Sequence, residues 1–193
     1  MNKKTIKDID VYDKKVLVRV DFNVPVIDGK ITDDNRIREA IPTINYLLEK
    51  GASVILMSHL GRPEGKPDKK YSLEVVSERV QELLPNNKVI MATDVTGKDA
   101  KSKAKKLQMG EILILENLRF DAREEENDKD FCKELASLAE VYVNDAFGTA
   151  HRKHASTYGV AKLLPNAIGF LIEKELNIIV GTISNPKRAW KYK

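Results

Sequence analysis

The sequence predicts an α/β domain, a mostly parallel β-sheet with helices on both faces in a three-layer α/β/α arrangement. Two patterns carry this expectation. Val16 to Val20, Val54 to Met57, Val89 to Met91, Ile112 to Leu115 and Val141 to Val143 are short, β-branched and continuous, the pattern of strands buried on both faces. Between them lie stretches with helical spacing, each of which must bury its apolar stripe against a strand layer. Such alternation calls for crossover helices joining parallel strands.

The elements follow in order. Ile37, Ile41, Ile44 and Leu48 describe a first helix, but Pro42 falls inside the pattern. A proline there removes a hydrogen bond and clashes, so regular helix is expected to begin at Pro42, with Arg36 and Arg38 on the loop or short turn leading in. Gly51 suits the C′ position after Lys50. Leu73, Val76, Val80 and Leu83 or Leu84 form the next helix, with Ser72 as its N-cap. Phe131, Leu135 and Leu138 form another, with Asn127 as N-cap followed three residues later by Asp130. Ile172, Leu176, Ile179 and Ile183 describe a last helix before Asn185 and Pro186, and a domain boundary is expected near Asn185.

Composition excludes several classes. At roughly 150 residues per domain, 193 residues make one large domain and a fragment of another. Hydrophobic residues at 42% and charged at 32%, with seven prolines and ten glycines, rule out a disordered, collagen-like or low-complexity chain. No apolar stretch approaches the ~18 residues of a membrane helix. Met1 to Lys15 is charged and lacks an apolar core, so no secretory signal is expected and the cytoplasm is the expected address. The single Cys132 cannot form an internal disulfide and reads as a small buried hydrophobe on a helix. A net charge of +4 favours anionic small molecules or weak attraction to nucleic acid.

In an open parallel sheet, ligands bind outside the carboxyl ends of the strands. There the sequence delivers Asp21 and Asn23, His59 and Arg62, Glu116 to Arg119, and Asn144, Asp145, His151 and Arg152. Four arginines, Arg36, Arg62, Arg119 and Arg152, are placed to converge with His59. A guanidinium fork matches carboxylate or phosphate oxygens bidentately, so the cluster points to a small, multiply charged anion. Asp21 and Asn23 add an acceptor and an amide suited to a hydroxyl on the same ligand. For any one arginine, a surface ion pair with Glu116, Asp121 or Asp145 is the alternative.

Other motifs fail. Gly61 to Pro67 has three residues between its glycines and ends in Pro where a phosphate loop needs Ser or Thr. No G-x-G-x-x-G follows a strand, and Ser58 with His59 builds no G-x-S-x-G elbow. Glu124 to Glu126 with Asp128 and Asp130 read as the solvated, dipole-favoured first turn of a helix rather than a metal site. Lys98, Lys101, Lys103, Lys105 and Lys106 lack interleaved aromatics and read as a solvated helix face.

Five blocks carry a family resemblance: R-V-D-F-N-V-P at Arg19 to Pro25, S-H-L-G-R-P at Ser58 to Pro63, L-E-N-L-R-F at Leu115 to Phe120, N-D-A-F-G-T-A-H-R at Asn144 to Arg152, and G-F-L-I-E-K-E-L at Gly169 to Leu176. Together they resemble phosphoglycerate kinase, in order, to about Arg188. The resemblance implies the first of two Rossmann-like domains, the one that binds 3-phosphoglycerate or 1,3-bisphosphoglycerate. It implies Asp21 and Asn23 at the glycerate hydroxyl and carboxyl end, His59, Arg62, Arg119 and Arg152 on the 3-phosphate, and Arg36 as the catalytic clamp at the 1-carboxyl or acyl phosphate. Mg-ATP or Mg-ADP, the family's cosubstrate, would be held by the second domain, and this chain would hold no cofactor or metal. The expected division is residues 1–170 as the substrate domain, 171–188 as interdomain helix and start of linker, and 189–193 as a divergent tail, without the nucleotide domain.

The activity implied is reversible phosphoryl transfer between the acyl phosphate and ADP in glycolysis, by a cytoplasmic monomer. The isolated chain is expected to be inactive. Expected partners are the phosphoglycerate and a complementary nucleotide-binding domain, with neither nucleic acid nor membrane. The alternative is a stand-alone phosphoglycerate-binding module without catalysis.

Overall fold

The computed structural model describes residues 4–184. Six parallel strands form the main sheet: β1 (Lys15–Arg19), β4 (Ser53–Met57), β5 (Val89–Met91), β6 (Ile112–Ile114), β7 (Val141–Asn144) and β8 (Asn166–Ile168). A small antiparallel hairpin pairs β2 (Val26–Ile27) with β3 (Lys30–Ile31). The main order is β5-β6-β4-β1-β7-β8. Val18 lies opposite Leu56 on one side and Val143 on the other. From β1 the chain winds outward one way and from β7 the other, so the topological switch point falls between these two strands.

Among the described residues there are five α-helices: α1 (Asn35–Glu49), α2 (Glu74–Leu83), α3 (Lys98–Lys106) and α4 (Lys129–Ala136) flank the sheet, and α5 (Phe170–Ser184) lies against α1. The strands are apolar on both faces because both are covered. Val16, Val18, Val54, Leu56, Ile112 and Ile114 pack with Ile37, Ile44, Val76 and Val80 of α1 and α2. Their alternates Leu17, Ile55, Met57 and Leu113 pack with Ala100, Ala104, Phe131 and Leu135 of α3 and α4. The three-layer expectation holds.

Local expectations meet mixed outcomes. Gly51 occupies the left-handed C′ position at φ 80°, and Cys132 is buried in α4. The strand Asn166–Ile168 and the hairpin have no apolar run long enough to announce them. Helix α1 does not wait for Pro42; it starts seven residues earlier, at Asn35. Pro42 and Arg38 both face solvent, so losing the hydrogen bond to the Arg38 carbonyl costs less than it would in the core, and burial of Ile37 and Ala40 holds the first turns in place. Arg36 is therefore a helical residue. Ser72 lies one residue further out than expected, its hydroxyl accepting from Glu74 N at 3.2 Å.

At α4 the cap is Asp128, which accepts from Asp130 N and Phe131 N, while Asn127 adopts φ 53° one step outside. Nor is the acidic run all solvated: Glu124 is 1% exposed. On α5, Ile172 is buried, Leu176 half-buried and Ile179 exposed; the Ile183 side chain, the Asn185 boundary, the linker 185–188 and the tail 189–193 lie outside the described residues. No helix among the described residues is long and apolar enough to cross a membrane.

Candidate functional site

Three strand ends are stitched into one rim. After β1, Phe22 N donates to Ser58 Oγ at 2.8 Å, fastening the Asp21–Asn23 turn to the segment after β4. Asn23 Oδ1 accepts from Gly61 N at 2.9 Å, and Arg119 Nη1 donates to the carbonyl of the same glycine at 2.9 Å. Gly61 sits at φ 61° with Tyr71 against its α-carbon, a position that a side chain could not share. Beneath them Asn117 is fully buried. Its amide donates to Leu60 O at 2.7 Å and Tyr71 O at 2.9 Å, and its oxygen accepts from Leu60 N and Arg119 N.

The cations gather on this rim. His59 is 7% exposed and its Nδ1 lies 3.1 Å from Arg19 Nη2. Burial, reinforced by the charges of Arg19, Arg119, Arg152 and His154, depresses its pKa to about 2. His59 is thus a neutral imidazole at any physiological pH. Burial, together with Arg152 and Arg62, also lowers the pKa of Arg119, against the pull of Glu125. Arg62 and Arg152 are exposed, so their heads remain free to meet a ligand from solvent.

Arg36 stands in the first turn of α1, where a cation opposes the helix dipole. Its Nη1 pairs with Asp21 Oδ2 at 2.8 Å, and a Cβ at Gly148, in the turn after β7, would lie 3.4 Å from the same oxygen. All seven residues picked from the sequence, Asp21, Asn23, Arg36, His59, Arg62, Arg119 and Arg152, therefore belong to the loops and helix start at the carboxyl edge around the switch point.

Sequence reasoning missed the layer beneath. Arg19 is 1% exposed, the one charge inside an otherwise apolar run from Val16 to Val20, and that interruption of a strand buried on both faces was the available signal. Its Nε donates to Ser156 Oγ at 2.9 Å, and Nη1 donates to the Val20 carbonyl. Glu124 accepts from Ser156 Oγ at 2.5 Å and Ser156 N at 3.0 Å, with His154 Nδ1 3.9 Å away. Ser156 lies in a single π-helical turn, Ala155–Gly159, a distortion common at functional sites. No local signal in the sequence marks that turn. Among the described residues no group of three or more His, Cys, Asp or Glu is arranged to hold a metal.

Fold and rim together define a doubly wound, Rossmann-like α/β domain with cationic side chains at the carboxyl edge around its switch point. Residues 6–191 match the family model "Phosphoglycerate kinase", and the chain belongs to that family. Phosphoglycerate kinase of Chloroflexus aurantiacus is 60% identical over 190 residues, spanning 97% of this chain and 48% of that protein. The solved phosphoglycerate kinase of Coxiella burnetii superposes with a TM-score of 0.85 at 36% identity, over 97% of this chain and 46% of the other. That of Pyrococcus horikoshii gives 0.85 at 37%, over 96% and 47%. The chain spans about half the length of the curated relatives it matches.

Proposed function

We propose that this chain is the substrate-binding half of a phosphoglycerate kinase, taking 3-phosphoglycerate or 1,3-bisphosphoglycerate on the rim between β1, β4, β6 and β7. The supporting observation is that Arg62, Arg119 and Arg152 stand in one another's field beside the neutral His59: burial first, and then these neighbouring cations, lower the pKa values of Arg119 and His59, and a bound dianion offsets such a field. In this reading the four groups hold the 3-phosphate, with His59 donating a neutral N–H. Asp21 and Asn23 orient the hydroxyl and carboxyl end of the glycerate.

The reaction requires little covalent work from protein. The acceptor carboxylate is already deprotonated, so no general base is needed, and catalysis consists of in-line placement plus positive charge on the phosphoryl in flight. Arg36 supplies that charge as a donor preset by Asp21. Mg-ATP or Mg-ADP is the cosubstrate, carried by a complementary nucleotide-binding domain, and water exclusion between two such domains is what a single one lacks. Residues 1–170 form the substrate domain in this scheme, with 171–188 leading towards the other half. The protein works in the cytoplasm, in glycolysis, and binds neither nucleic acid nor membrane.

Calorimetry with 3-phosphoglycerate tests the site, and absence of binding overturns the reading. A coupled assay of ATP formation tests the division of labour: the chain alone is expected to give no turnover, and mixing with a separately made nucleotide domain to restore it. Phosphoglycerate binding without restored turnover favours the stand-alone module instead.

A further inference from the structure

Behind the rim, the chemistry of arginine directs the hydrogen bonds, with Glu124 as the carboxylate acceptor that Arg19 favours against the upward pull of burial on its pKa. Arginine has five donors and no acceptor. Arg19 Nε therefore donates to Ser156 Oγ, at 2.9 Å, and the serine's single proton is left for Glu124 Oε1, at 2.5 Å. By the same rule Arg19 Nη2 donates to His59 Nδ1, at 3.1 Å. A neutral imidazole whose Nδ1 accepts must carry its proton on Nε2. The direction of every bond from Glu124 to His59 is thus set by one buried carboxylate and one buried guanidinium, joined by a hydroxyl.

We propose that Glu124 and Ser156 are positioning residues which, through Arg19, fix His59 as the Nε2–H tautomer and aim that N–H at the anion site. Neither touches the rim itself. Both Glu124 and Ser156 are buried, at 1% and 0% exposure, and Ser156 is clamped from the far side by Tyr142, whose hydroxyl donates to its carbonyl at 2.8 Å. Stability alone does not account for the arrangement, because a buried ion pair is often no better than apolar residues of similar volume. What an apolar replacement cannot do is choose a tautomer. The choice matters to a phosphate: the Nδ1–H tautomer would turn a lone pair towards the oxygens, exchanging a donor for a repulsive acceptor in the same position.

The function proposed for Glu124 and Ser156 rests on the phosphoglycerate reading, but the tautomer is measurable without ligand. In long-range 1H–15N NMR of the full chain at pH 7, His59 is expected to show a protonated Nε2 and an unprotonated Nδ1. An Nδ1–H ring or an imidazolium overturns the inference. In Ser156→Ala, which leaves both charges in place and cuts the link between them, the His59 signals are expected to move towards a mixture of tautomers. A 3-phosphoglycerate affinity about tenfold weaker, the scale of one charge-assisted hydrogen bond, is expected with it. A folded Ser156→Ala chain with an unchanged tautomer overturns the inference and leaves Ser156 a purely structural role. Glu124→Gln provides the same readout should Ser156→Ala fail to fold. If wild type displays the Nε2–H ring but binds no 3-phosphoglycerate, the anion reading fails while the proton arrangement stands.

Discussion

The guanidinium of Arg36 lies 2.8 Å from the carboxylate of Asp21, joining the first turn of α1 to the turn after β1. The arginine side chain is 51% exposed and the aspartate 16%, so the pair is anchored at its acidic end and open at its basic one. Such a half-exposed pair adds little to stability. Its effect is orientation.

Arg36→Ala is therefore expected to leave the fold and 3-phosphoglycerate binding measurable while reducing turnover of an enzyme reconstituted with a nucleotide domain at least about a hundredfold, the scale of a lost transition-state donor. Calorimetry on the variant chain and the coupled assay on the reconstituted enzyme check the two halves. Turnover within a few fold of wild type would sink the clamp role.

Arg62 behaves differently. It is exposed, adds its charge to the field around Arg119, and its proposed partner is the phosphate. Arg62→Ala should weaken 3-phosphoglycerate binding about tenfold or more, with unchanged thermal stability. Equal affinities for variant and wild type in calorimetry contradict an anchoring role.

Asn117 supports the rim mechanically. Its side chain satisfies the backbone of Leu60, Tyr71 and Arg119 at once. Asn117→Ala orphans those buried groups and is expected to cost roughly 3 kcal/mol, read as a lower urea midpoint, together with weaker anion binding as Gly61 and Arg119 lose their support. An unchanged midpoint rules this out.

Asp145 gives a pH dependence. It is buried, Oδ1 accepts from Leu171 N at 2.9 Å at the start of α5, and Oδ2 has no partner. Burial raises its pKa from 3.8 to about 6, against the pull of Thr43 and the α5 amides. Between those values the folded chain keeps a proton that the unfolded chain has lost, so the stability due to Asp145 is fullest below about pH 4 and fades as pH rises through 6, by up to about 3 kcal/mol. His59 runs the opposite way: its folded pKa near 2 lies below the usual 6.5, so its contribution is complete above 6.5 and lost as pH falls. A bare wild-type profile mixes the two. The difference between Asp145→Asn and wild type isolates the carboxyl, and it should shift in the variant's favour from pH 4.5 to 7. A flat difference would falsify the raised pKa.

How much of this was legible depends on the type of signal. Strands β1, β4, β5, β6 and β7 were readable because covered parallel strands leave largely apolar runs, whereas Asn166–Ile168 opens on an exposed Asn166 and leaves only Ala167 and Ile168 as apolar signal. The rim positions of Asp21, Asn23, His59, Arg62 and Arg119 were readable because they closely follow those runs, whereas Arg36 in the first turn of α1 and Arg152 beyond the turn after β7 are brought there by the chain's path. Pro42 misled because its local penalty was weighed without the burial of Ile37 and Ala40 that outweighs it. Glu124 misled because a charged run looks solvated from the sequence, and only the π-helical turn at Ala155–Gly159, far along the chain, brings Ser156 and Arg19 to it.

The position of β1 has a consequence for synthesis. Its neighbours are β4, close behind it in the chain, and β7, whose Val141 lies opposite Val16. A nascent chain emerging from the ribosome can pair one side of β1 early, yet the other remains an open, apolar edge until residues past 144 are released, and such edges recruit other chains. Slow translation or premature termination between β6 and β7 should thus favour aggregation, whereas a pause after β8 should be harmless.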